Sequence, residues 1–154
     1  MRFGMNLLMW TDTVHDGALP LLDDMKAIGF DAVEVPIFEL EPDKYAAWGK
    51  HLDNAGLART GVTVRGGDDN PISPDAAVRE LGVKNNKLAV DCAQAAGCET
   101  LCGPYHSALG VFSGQGPTQD EWKRGVESMQ QVAEQVLAKV VLEVASRVED
   151  EDSR

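Results

Sequence analysis

Three times in the first hundred residues, apolar residues at helical spacing run into a glycine and then directly into a short apolar stretch. Leu19, Leu22, Met25 and Ile28 lead to Gly29 and Phe30-Asp31-Ala32-Val33-Glu34-Val35. Tyr45, Trp48 and Leu52 lead to Gly56 and the run Leu57 to Val64. Leu88, Val90, Cys92 and Ala95 lead to Gly97 and Cys98-Glu99-Thr100-Leu101-Cys102. A glycine in the left-handed conformation ends a helix, and a mostly apolar run after it reads as a strand buried on both faces. Three such joints in series describe a β/α repeat with a parallel sheet. The run Arg2 to Leu8 supplies a strand ahead of the first helix. Thr118 and Glu121 match the capping box and open a fourth helix through Trp122, Val126, Met129 and Val132. A fifth strand is expected at Val140-Val141-Leu142-Glu143-Val144, although Gln135 to Lys139 contains no glycine or turn residue to mark the change.

The expected fold class is therefore α/β, with about five parallel strands and four helices. An open doubly wound sheet and a (β/α)8 barrel both accept this alternation. Gly110, Gly114 and Gly116 do not fit the dinucleotide fingerprint G-x-G-x-x-G, and Gly66-Gly67 is not a phosphate-binding loop. Arg65 to Pro71 is turn chemistry, and Ser73-Pro74 offers an N-cap followed by proline for the long third helix, with an interruption expected at Gly82.

At 154 residues the chain is expected to form one domain over residues 1–149, followed by an acidic, frayed tail at 150–154. The net charge of −11 disfavours nucleic acid and anionic membrane surfaces as partners. No apolar run approaches the length of a membrane span, and Met1-Arg2-Phe3-Gly4 lacks the features of a signal peptide, so a cytoplasmic protein is expected. Cys92, Cys98 and Cys102 are odd in number and lack zinc-ligand spacing, which reads as reduced thiols.

Function in α/β folds collects where strands deliver their C-terminal ends. Glu143, inside an apolar run, would be expensive to bury without a metal, a cation or hydrogen bonds. Glu34 is a second strand carboxylate, with Arg65 as a possible partner. The glycine- and serine-rich loop from Gly103 to Pro117 carries Tyr105, His106 and Phe112, and Trp10 follows the first strand.

Several stretches together carry a family resemblance: Gly4-Met5-Asn6-Leu7-Leu8-Met9-Trp10, Gly29 to Pro36, Gly103-Pro104-Tyr105-His106-Ser107, Trp122 to Glu127, and Leu142-Glu143-Val144 followed by Arg147-x-Glu149. Over residues 1–149 the chain resembles the N-terminal part of sugar phosphate isomerase/epimerase TIM barrels of the xylose isomerase-like kind. Among these it is most similar to the ketose 3-epimerases acting on D-tagatose and D-psicose. The resemblance implies a partial (β/α)8 barrel and a divalent metal, Mn2+, Mg2+ or Co2+, held by two glutamates, an aspartate and a histidine. It aligns Glu143 with the first of those glutamates, which is both metal ligand and proton-transferring base. It aligns Glu149 with a substrate-binding glutamate, and places Arg147, Trp10 and His106 toward a ketose sugar. The implied chemistry is proton transfer at C3 through a cis-enediolate.

The family's asparagine and phenylalanine around the arginine are Ser146 and Val148 here, and its other metal ligands lie on strands beyond Arg154. A truncated, impaired enzyme that does not hold the metal stably alone is the expectation. The alternative is an inactive half-barrel that self-associates through open sheet edges, and a homo-oligomer is expected in either case. A related barrel acting on abasic DNA is disfavoured by the charge and by having only three histidines.

Overall fold

The computed structural model describes residues 1–152, with side chains through Leu137. The elements alternate as expected: β1 (Gly4–Asn6), α1 (Leu19–Ile28), β2 (Ala32–Pro36), α2 (Pro42–Ala55), β3 (Ala58–Val62), α3 (Ala76–Ala95), β4 (Leu101–Cys102) and α4 (Gln119–Asp152). The four strands form one sheet in the order β1-β2-β3-β4, and every pair is parallel. This is α/β architecture matching part of a TIM barrel. No helix among the described residues is long and apolar enough to cross a membrane.

The three glycine joints are built alike. Gly29, Gly56 and Gly97 have φ of 105°, 62° and 74°. After each, the next amide reaches back to the last helical turn: Phe30 N to Met25 O, Leu57 N to Leu52 O and Cys98 N to Ala93 O. A side chain at these positions would be strained, and the turn delivers the chain straight into the next strand.

Strand alternation divides the sheet into two faces. Val33 and Val35 point to the helices and are fully buried with Leu22, Met25, Trp48, Leu52, Ala89 and Cys92. Ala32 and Glu34 point the other way, toward what is the interior in a closed barrel. Tyr45 fixes α2 against β2, donating from its hydroxyl to the Pro36 carbonyl at 3.1 Å. Burial keeps that phenol protonated well beyond its ordinary range.

Four local expectations are corrected. The fifth strand is not formed: α4 continues through Val140–Val144 to Asp152. Without a glycine or proline after Val132, nothing in the chain stops a helix already nucleated by its capping box. The α3 N-cap is Asp75, whose carboxylate accepts from Ala77 N at 2.8 Å, and not Ser73. Asp is at least as good a cap as Ser, and Pro74 then precedes the helix. Gly82 does not interrupt α3, which is continuous there; a Cβ at this position would lie 2.4 Å from Asp69 O, so the glycine admits a loop backbone against the helix. The first strand is also shorter than expected, because Asn6 Oδ1 accepts from Leu8 N and caps a 3-10 turn at Leu7–Met9.

Candidate active site

Parallel register puts Asn6, Glu34 and Thr60 side by side on the inner face, and Cys102, level with Val62, two residues further along. The Glu34 carboxylate collects all three: Asn6 Nδ2 donates to one oxygen, and Cys102 Sγ (3.1 Å) and Thr60 Oγ1 (3.5 Å) approach the other. Among the described residues Glu34 has no ion pair. Three neutral donors hold the carboxylate on the open face. Burial, with the hydrogen bond and charge of Glu34 behind it, pushes the Cys102 thiol up to about 11. It is a proton-bearing donor at neutral pH rather than a nucleophile.

Arg65 does not pair with Glu34. It lies beyond the end of β3, 5% exposed, and turns toward α3. Its Nε donates to Asn86 Oδ1 (2.7 Å), Nη2 to Thr63 Oγ1 (2.9 Å) and Nη1 to Asp69 Oδ2 (3.3 Å). A guanidinium fork suits this buried, multi-acceptor site better than an ammonium. Asn86 passes the connection on, donating from Nδ2 to Tyr105 O at 2.9 Å. Arg65 O accepts from Leu109 N (2.8 Å), and Asn70 Oδ1 accepts from Ala108 N (3.1 Å). The loops after β3 and β4 are thus tied to each other and to α3. Gly103, with φ of 117°, makes the approach possible, since a Cβ there would sit 2.2 Å from Thr63 O.

The expected site residues fall into two groups. Trp10 ends the 3-10 turn after β1 and is half exposed. His106 lies on the loop after β4 and, with Ser107, Ile72, Trp122 and Met129, lines a cleft of about 500 Å³ against α4. Both stand at the C-terminal ends of strands, where sites of α/β folds form. Three strand spacings separate β1 from β4, roughly 14 Å along the sheet. No hydrogen bond joins the two residues among those described. Phe112, on the same loop as His106, is 87% exposed. The side chains of Glu143, Arg147 and Glu149, on α4, lie outside the described residues.

Among the described residues no three His, Cys, Asp or Glu side chains come together as a metal site. The groups on the inner face, one carboxylate with an amide, a hydroxyl and a protonated thiol, suit hydrogen bonding to a polyol and do not make a ligand set for the divalent ion implied by the resemblance. Among the described residues none of the three cysteines forms a disulfide. Asn6, Thr60 and Cys102 escaped the sequence reading because their common partner appears only once the register of the sheet is known. The Arg65 network left a fainter trace, two adjacent asparagines within a helix.

Comparison with known proteins agrees with this fold. D-allulose 3-epimerase from Methylomonas sp. superposes with a TM-score of 0.77 at 24% identity, covering 90% of this chain and 49% of that one. A structure of L-ribulose 3-epimerase gives 0.78 at 24% identity, with 89% and 46% covered. D-psicose 3-epimerase from Clostridium cellulolyticum H10, with D-tagatose, gives 0.75 at 17% identity, with 90% and 49% covered. The chain spans about half the length of these structures, and at such identities the likeness speaks to the fold. No curated protein matches the chain by sequence. The model of one family does match, over residues 22–147, and its description is that of the sheet and helices above. The chain is accordingly a member of the xylose isomerase-like TIM barrel family.

Proposed function

We propose that the chain carries the first part of a sugar isomerase/epimerase site of the ketose 3-epimerase kind. The observation that supports this best is the family match across residues 22–147, together with the placement of Trp10 and His106 on loops at the C-terminal ends of β1 and β4. In this reading Glu143 moves the proton at C3 of a ketose through a cis-enediolate, and Glu149, Arg147, Trp10 and His106 contact the sugar. Glu143 is also one ligand of a divalent metal, Mn2+, Mg2+ or Co2+, which would stabilise the enediolate charge. The described residues do not supply the other ligands, so the isolated chain is impaired and holds the metal weakly. Residues 1–149 act as one partial-barrel domain in the cytoplasm.

The test is epimerisation of D-fructose and D-tagatose by the purified chain, with Mn2+ and with chelator, resolved by sugar chromatography. Metal-dependent C3 epimer that disappears in Glu143→Gln supports the reading. A folded chain that forms no epimer under either condition counts against it.

A second reading, an inactive half-barrel that self-associates, is favoured by the open outer edges of β1 and β4. Both readings include a homo-oligomer.

A further inference from the structure

We propose that two copies of the chain close one eight-stranded barrel, the β4 edge of each accepting the β1 edge of the other. This rests on the self-association proposed above and gives it a geometry. All four strands run in one sense. A copy related by a two-fold axis along the barrel presents its β1 parallel to β4, and the same rotation closes the other seam.

The free backbone groups restrict the register to one alternation, and the stagger of a closed barrel selects within it. Phe3 O accepts from Ala32 N, so Phe3 and Met5 spend their peptide groups on β2 and Gly4 faces the open edge. Gly61 N donates to Thr100 O and Thr63 N to Cys102 O, so Leu101 and Gly103 face the other open edge. Pairing these sets Gly4 of one copy opposite Cys102 of the second, with Phe3 beside Leu101. The stagger of the barrel singles out this pairing. Gly4 is level with Ala32 and Ala58, and the Gly61–Leu101 pair makes Ala58 level with Cys98. Closure at Cys102 is four residues further on. Two such seams give a stagger of eight residues per circuit, the shear of a TIM barrel.

The side chains agree. Beside β4, a groove of about 770 Å³ between α3 and α4 is lined mainly by apolar residues, among them Val90, Ala93, Leu101, Met129, Val132 and Val136, with Glu99 and Thr100 also on its lining. β1 carries the matching projection. Met5 packs on the helix-side core, so Phe3, two residues earlier, lies on that same side, and it is 61% exposed. In the closed pair Phe3 of one copy enters the groove of the other. An aromatic side chain buries 150–250 Å² in such a setting, and the contact occurs twice.

Sedimentation velocity on the full chain across micromolar concentrations tests this. The expected result is a discrete dimer. Phe3→Glu, at an exposed position, and Val136→Glu, 40% exposed in the groove, each weaken it at least tenfold while the circular dichroism spectrum stays unchanged. A monomer throughout overturns both the self-association and this pairing. A dimer indifferent to both substitutions leaves self-association standing and overturns the pairing, and open-ended polymers with no dimer plateau overturn the two-fold closure.

Discussion

Replacing Arg65 by methionine removes the charged fork while keeping an unbranched stem in the same space. The structure says what each partner then retains. Asp69 keeps Gly66 N at 2.7 Å and Asn85 Nδ2 at 3.0 Å, and its side chain is 17% exposed, so its charge is not stranded. Thr63 still donates to Ile37 O at 2.7 Å. Asn86 fares worst: its Oδ1 loses its partner in a residue only 1% exposed. An orphaned buried acceptor costs about 1–3 kcal/mol, and breaking a fully buried ion pair about 3–5. With Asp69 partly solvated, the loss should fall where these ranges meet, about 3 kcal/mol. For a domain of this size that lowers Tm by roughly 6–12 °C. Urea titration followed by circular dichroism measures it, and hydrogen exchange at Ala108 and Leu109 reports whether the loop after β4 loosens with it. Arg65→Lys should recover only part of the loss, because one ammonium cannot reach acceptors on Thr63, Asp69 and Asn86 together. A loss below about 1 kcal/mol in Arg65→Met, with exchange at Ala108 and Leu109 unchanged, would refute the view that this cation staples the two loops.

Gly82→Ala should destabilise by about 1–3 kcal/mol in a melt, although alanine is the better helix former by nearly 1 kcal/mol, because the new methyl meets the backbone of Asp69 and Pro71. Thr118→Ala removes the side-chain half of a reciprocal cap and should cost about 1 kcal/mol, seen as earlier fraying of α4. Both Cys98 and Cys102 are raised from 9.0 to about 11, chiefly by burial. The folded chain therefore holds these protons more tightly than the unfolded one, and the resulting stability is full below pH 9 and lost as pH rises through about 11. Unfolding titrations between those limits should flatten in the Cys98→Ser, Cys102→Ser double variant. Glu34→Gln should lower the Cys102 thiol and speed its alkylation at pH 9, as Glu34 both accepts from the thiol and repels the thiolate.

The repeat was legible because its punctuation is chemical: glycine at the three left-handed joints and a reciprocal cap at Thr118 leave local marks that neighbours do not alter. The end of α4 was not. Val140 to Val144 has strand composition, but β-branched residues only weakly oppose a helix, and without a stop signal the pattern could not decide. What was legible of Trp10 and His106 is their position after β1 and β4. The inner floor of the candidate site was not legible, because the Glu34 cluster draws one side chain from each of four strands and depends on register alone. Arg65 was misassigned for a related reason. Complementary charge suggested Glu34, whereas the turn at Gly67–Asp69 carries Asp69 round to the guanidinium.

The main hydrophobic core has a further consequence, for the order in which the molecule assembles. Among the described residues, its fully buried members run from Leu7 to Ala96, and the last side chain packed on them is Leu101; α4 adds none. The core lies between the sheet and the outer helices rather than inside a closed barrel, so it needs no later strand to be complete. As the chain leaves the ribosome, α1 to α3 can seal the back of the sheet by the time β4 emerges, with α4 joining a body already formed. Amides of β2, β3 and α2 should then exchange only by global opening, whereas those of α4 exchange through a smaller local one. The helix that carries the expected catalytic residue Glu143 is the one held least by the core.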